Sequence, residues 1–297
     1  MSSPGKRRRL TGFTTIELVI VIALMGIVAI GLSRLIALPF STYRDLSLRA
    51  QLVDFADASI RRIARDLRRA LPNSIRVAGS AETIEFIRAL DGARYRRDPG
   101  DNGGGNDHTA ASDWLSFGGD TDFNILGSFA HLRFTLGTPL SSGHRIAIYS
   151  TGSGIYTDAA TDANPGTVTP DETDITITQD GDEQQINLST SHQFSYESPV
   201  QRLYVVDTPV TYDCDLSGNT LTRYWSYPIA SSQPTDPSSP PLLGATSSLM
   251  NNLIESCSFD YAPGTPQRAG LVTIELVVAN GGERVRVLHQ VHVDNSP

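Results

Sequence analysis

Residues 6–40 read KRRRLTGFTTIELVIVIALMGIVAIGLSRLIALPF. Lys6 to Arg9 form a basic leader, Gly12 follows, and an apolar run then extends from Phe13 to Leu38. Glu17 and Arg34 are the only charges in that run, and Leu18 to Leu32 is free of them. As a helix, Phe13–Leu32 spans about 30 Å, the thickness of a bilayer core. Three readings compete. A secretory signal peptide ends its apolar region after about 7–15 residues at a small-residue cleavage site. This run is longer, and no good A-x-A site follows it. A plain membrane anchor fits the length, with the basic leader held on the cytoplasmic side. It gives no reason for Glu17, because a carboxylate inside a bilayer helix costs about 2.5–3.5 kcal/mol. The third reading makes Glu17 functional and requires a partner of opposite charge.

Beyond the apolar run, Pro39 removes one helix hydrogen bond and predicts a kink. Residues 40–71 keep helical spacing: Ile60, Ile63, Ala64, Leu67 and Leu71 recur at steps of three and four. Arg61, Arg62, Arg65, Arg68 and Arg69 fall largely between them, which predicts an amphipathic helix ended by Pro72-Asn73. From Ser74 the pattern changes to short strand-like runs: 75–77, 83–88, 132–136, 145–149, 174–178, 185–188, 193–196, 203–207 and 220–226. Residues 91–112, 152–174 and 228–244 read as exposed loops, and 248–255 as a short helix. The runs 272–278 and 284–293, joined by Asn280-Gly281-Gly282, read as a hairpin. The expected fold is α+β: a long N-terminal helix packed on a β-rich, mainly antiparallel head. The expected divisions are 1–12, 13–38, 39–72 and 73–297.

Gly-Phe-Thr-Thr-Ile-Glu-Leu, residues 12–18, resembles the processing signal of type IV prepilins and pseudopilins. The resemblance implies a pilin-like fold, cleavage by a prepilin peptidase between Gly12 and Phe13, and methylation of the new N-terminus. It also implies that Glu17 pairs with the N-terminal amine of a neighbouring subunit during assembly. Three further stretches are similar to the minor pilin-like biogenesis proteins of the mannose-sensitive haemagglutinin (MSHA) pilus: 61–77, 202–229 and 270–297. Many pilins have a proline within the membrane helix, where this chain has Gly26, Gly31 and Arg34.

The implied partners are the prepilin peptidase, other minor and major pilins, the inner-membrane assembly platform and the membrane itself. The implied location is a single pass through the inner membrane, N-terminus cytoplasmic before cleavage and head periplasmic. A periplasmic head makes one disulfide the expected state of Cys214 and Cys257. A minor pseudopilin of a type II secretion system and a pilus-tip adhesin are the alternatives. For an adhesin, Tyr224, Trp225 and Tyr227 are candidates to stack on sugars, although in a strand such residues more often serve the core.

Charge and the absence of catalytic motifs narrow the field. The formal net charge is -8 and falls to about -12 without the four leader cations. From residue 78 onward there are 27 acids against 11 arginines, which argues against nucleic-acid binding. No nucleophile elbow occurs; Gly152-Ser153-Gly154 lacks the frame, and there is no P-loop. No enzyme activity and no cofactor are expected. His289 and His292 fall on opposite faces of a strand and make no metal pair. Asp213-Cys-Asp215-Leu-Ser217-Gly218 begins like an EF-hand loop, but Tyr224 stands where a bidentate Glu is needed. It reads as a tight turn. Asp98, Asp101, Asn102, Asn106 and Asp107 read as a solvated loop. No metal site is expected.

Overall fold

The computed structural model describes residues 12–101, 107–152, 154–264 and 268–295, except for the side chains of 33–42, 101 and 107. The leader through Thr11, Asn102, Asn106 and Ser153, and the side chains of Arg34, Pro39, Asp101 and Asp107, lie outside this description. The chain divides into two compact units, Met1–Gln51 and Leu52–Pro297.

The elements run in the order α1 (Thr15–Leu67), β1 (Arg76–Val77), β2 (Thr83–Arg94), β3 (Gly100–Asp101), β4 (Asp107–His108), a 3-10 turn (Ala111–Asp113) and β5 (Asp120–Ile125). Then come β6 (Arg145–Ile148), α2 (Gly154–Thr161), β7 (Ile175–Asp180), β8 (Glu183–His192), β9 (Arg202–Asp215) and β10 (Thr220–Trp225). The last are β11 (Thr246–Asn251), β12 (Ile254–Ala262), β13 (Gly270–Asn280) and β14 (Glu283–Val293).

In the first unit, the 18 residues Thr15–Leu32 are long and apolar enough to cross a membrane, and none of them is buried. The run is apolar on all sides, so it has no polar face to turn to water while an apolar face packs.

The second unit is built on β9. This strand carries β2 along one edge; its other edge is shared by β6, opposite Leu203–Val206, and β10, opposite Val210–Asp215. With β1 and β11 they complete a six-stranded sheet. Residues 209–214 of β9 are buried without alternation, as expected for a strand covered on both faces. On one side of its C-terminal half, Val210, Tyr212 and Cys214 pack with Leu52, Ala56, Ile60, Ile63 and Leu67 of α1 and with the β12-β13-β14 sheet. Around its N-terminal half, Leu203 and Val205 pack with Ile146 and Ile148 and with the β5-β8-β7 sheet. A third cluster sets Val206, Ile87 and Ala147 against Ile155, Tyr156 and Ala159 of α2.

The expected fold class is corrected here. The molecule is mostly antiparallel β-sheet, with fourteen strands in four sheets among the described residues. It is not an α+β fold with a long helix packed on a head. The apolar span is 18 residues and none of it is buried; helical residues enter the core of the second unit only from Leu52 onward.

Smaller expectations also change. α1 ends at Leu67, before Pro72-Asn73, because backbone bonds to β2 take over: Leu71 N donates to Ile87 O at 2.8 Å and Ala89 N to Arg69 O at 2.8 Å. Part of the 91–112 loop is strand and core, since β2 runs on to Arg94 and Tyr95 is fully buried. The 152–174 loop contains α2, whose apolar face is covered. Residues 248–255 form strand rather than helix, and 132–136 and 193–196 lie outside the strands. The final hairpin is present: Asn280 pairs with Glu283, and Gly281 and Gly282 at φ +60° and +89° supply the left-handed turn.

Candidate functional site

Residues 12–18, expected to be a processing signal, lie at the start of α1. Gly12 and Phe13 precede the helix and belong to no helix or strand, and Phe13 is 82% exposed. Both residues are exposed. Thr14 and Glu17 form a reciprocal cap. Glu17 N donates to Thr14 Oγ1 at 3.3 Å, while Glu17 Oε2 accepts Thr14 N at 3.2 Å and Thr14 Oγ1 at 3.0 Å. This is a capping box, and its signal, a threonine three residues before a glutamate, is legible in Thr14-Thr-Ile-Glu17. Sequence reasoning looked for an intermolecular partner of Glu17 and missed this local one. Both bonds to the carboxylate use Oε2. Among the described residues Oε1 accepts none, so one oxygen is held by the helix start and the other is left over on an exposed residue. Such a carboxylate can take a cation from another molecule without breaking its cap.

The disulfide is formed. Cys214 at the end of β9 joins Cys257 in β12 with 6.5 Å between Cα atoms. Both residues are buried, so the link ties the six-stranded sheet to the β12-β13-β14 sheet inside the core.

Two buried ionic clusters brace the second unit, and neither is legible in the order of the residues. The Arg76 guanidinium meets the fully buried Glu85 carboxylate (Nε–Oε2 2.5 Å), lies 3.5 Å over the Tyr156 ring and donates to the carbonyls of Ala230, Ser231 and Ser232. Tyr227 Oη donates to Glu85 Oε1 at 2.9 Å. Burial pushes the Glu85 carboxyl above the usual carboxylate range, outweighing the opposing pull of Arg76. The same burial, with the Glu85 charge adding to it, raises the Tyr227 phenol strongly. In the second cluster, Asp66 near the end of α1 accepts Arg223 Nε at 2.7 Å and Tyr212 Oη at 2.8 Å. Tyr227 is thus a core residue. Tyr224 and Trp225 are half-buried, and the Arg223 guanidinium lies 4.5 Å over the Trp225 ring.

The remaining sequence candidates do not assemble into a site. Asp215 Oδ1 accepts the amides of Ser217 and Gly218 at 2.9 and 3.0 Å, as a tight turn requires. His289 is half-buried and His292 exposed, at alternate-face positions of β14. Comparison of the chain with protein-family models, with curated proteins and with solved structures returns no match.

Proposed function

We propose that this chain is a minor, pilin-like subunit that primes or tips a type IV pilus of the MSHA type. The observation that supports this is the N-terminal constellation: an exposed Gly12–Phe13 bond, an 18-residue apolar helix behind it, and Glu17 as its one acid with Oε1 left over from the cap. In this reading a prepilin peptidase cuts after Gly12 and the amine of Phe13 is methylated. The Glu17 carboxylate then takes the terminal ammonium of a neighbouring pilin as the assembly platform lifts the helix out of the inner membrane. Pairing two charges that are each costly in lipid selects register. The head is periplasmic, which agrees with a disulfide-bonded core.

Two substitutions test this. Gly12→Leu is expected to block cleavage, so that mass spectrometry finds the leader retained. Glu17→Ala is expected to leave an N-terminus at Phe13 and to remove the protein from sheared fibres. Normal incorporation of the Glu17→Ala protein refutes the assembly role. A pseudopilin of a type II secretion system carries the same kind of segment; a piliation defect without a secretion defect in a deletion strain separates the two.

A further inference from the structure

Away from the N-terminus, four segments remote in sequence bring donor atoms together beside the β5-β8-β7 sheet. His108 comes from β4, Asp113 from the 3-10 turn, Asn124 from β5, and Asp180 from the end of β7 where it turns into β8. His108, Asp113 and Asn124 are nearly or fully buried. One ligand atom each from His108, Asp113 and Asp180 lies within 4.8 Å of the others. His108 Nδ1 is 3.3 Å from Asp180 Oδ2. That separation is the edge of a tetrahedron whose centre lies about 2.0–2.1 Å from each corner, the bond length of zinc to imidazole and carboxylate.

Asn124 adds an independent observation. Its terminal amide points into the cluster, with Nδ2 3.1 Å from His108 Nδ1 and 2.8 Å from Asp180 Oδ2. Its Oδ1 is buried and has no hydrogen-bond partner. The NH2 group thus presents one hydrogen to the Asp180 carboxylate and, in the Nε2-protonated tautomer of His108, the other to the Nδ1 lone pair, the side from which a cation would be held. Half a turn of the amide exchanges the two atoms and brings the orphaned oxygen to the same point. Facing the Asp180 carboxylate and, with His108 protonated on Nε2, the Nδ1 lone pair, an oxygen there calls for a cation between them.

The neighbouring charges are accounted for. Asp113 keeps its own turn, accepting Ala110 N at 2.8 Å on Oδ2, and has Ser112 Oγ 3.4 Å from Oδ1. Glu183 lies 3.7 Å from His108 Nε2 but is engaged by the Arg96 guanidinium, with Nε at 2.9 Å. Asp182 lies 3.3 Å from His108 Nε2, on the far side of the ring, where it orients the imidazole as carboxylates commonly do behind metal-bound histidines.

We propose that His108, Asp113, Asn124 and Asp180 form a binding site for a divalent transition metal, with zinc the best fit. One imidazole among oxygen donors suits zinc or manganese and disfavours calcium and magnesium, which take oxygen alone. The metal would clamp the β3-β4 segment and the 3-10 turn onto the β7–β8 hairpin.

The test uses the full chain, tag-free, in detergent and stripped with a chelator. Calorimetric titration with zinc is expected to give saturable 1:1 binding and a rise in melting temperature. His108→Ala and Asp180→Asn are each expected to weaken binding at least tenfold. Asp180→Asn retains an acceptor for Asn124, and circular dichroism checks that both variants fold. Cobalt is expected to develop visible d–d bands in the wild type alone. The proposal is overturned by no saturable zinc binding, by unchanged affinity in both variants, or by binding of calcium in place of zinc.

Discussion

Glu85 has no exposed surface, and its carboxyl is raised by burial despite the Arg76 guanidinium beside it. Between the ordinary carboxylate value and the raised one, the folded chain holds a proton that the unfolded chain has released. This group therefore lends stability at low pH that is lost as pH rises through that window. Urea unfolding of Glu85→Gln against wild type from acid to neutral pH is expected to show the wild type losing relative stability as pH rises. The opposite slope rejects the assignment. Glu85→Ala, which strands Arg76, is expected to cost about 3–5 kcal/mol. At the other end of the chain, Thr14→Ala removes the cap of α1 and is expected to cost about 1 kcal/mol. Circular dichroism of a 13–32 peptide in micelles measures that loss of helix. Glu17 was legible as anomalous because one charge in an apolar run is visible in one dimension. Glu85 was not, because an acid in a strand reads as a solvated position until a second sheet covers it.

Among the elements, the last turns of α1 were readable and their anchor was not. The three- and four-residue spacing names Ile60, Ile63, Ala64 and Leu67, which are buried. That Asp66, on the polar side of this stripe, meets Arg223 from β10 depends on a contact 157 residues away. Leu67→Ala is expected to cost about 2–5 kcal/mol by cavity formation, read by chemical denaturation. The Cys214–Cys257 link closes a 43-residue separation, and loop entropy puts its contribution at roughly 4 kcal/mol. A Cys214→Ala, Cys257→Ala double variant is expected to show that loss in the denaturation midpoint. The hairpin of β13 and β14 was legible through its Gly-Gly turn. α2 was hidden in a polar stretch, since eight residues with only Ile155, Tyr156 and Ala159 buried carry too little periodicity.

For the whole molecule, two features decide behaviour. The core of the second unit begins at Leu52, and no residue of the apolar span before it is buried. A chain starting near residue 52 is therefore expected to be soluble and to unfold cooperatively with a melting temperature close to that of the full protein, measured by calorimetry. Loss of cooperative unfolding refutes this. β9 serves every cluster of that core, so stability is not divisible along the chain. The sequence by itself determined what is local: the membrane-length apolar run, the charge placed inside it, the amphipathic stripe of α1 and the glycine turn of the last hairpin. Each depends on periodicity or on one residue's chemistry. The tertiary structure alone decided that the class is mainly β rather than α+β, that β9 is its axis, and that His108, Asp113, Asn124 and Asp180 converge. Those outcomes rest on strand pairings and side-chain meetings between distant segments, which no local pattern encodes.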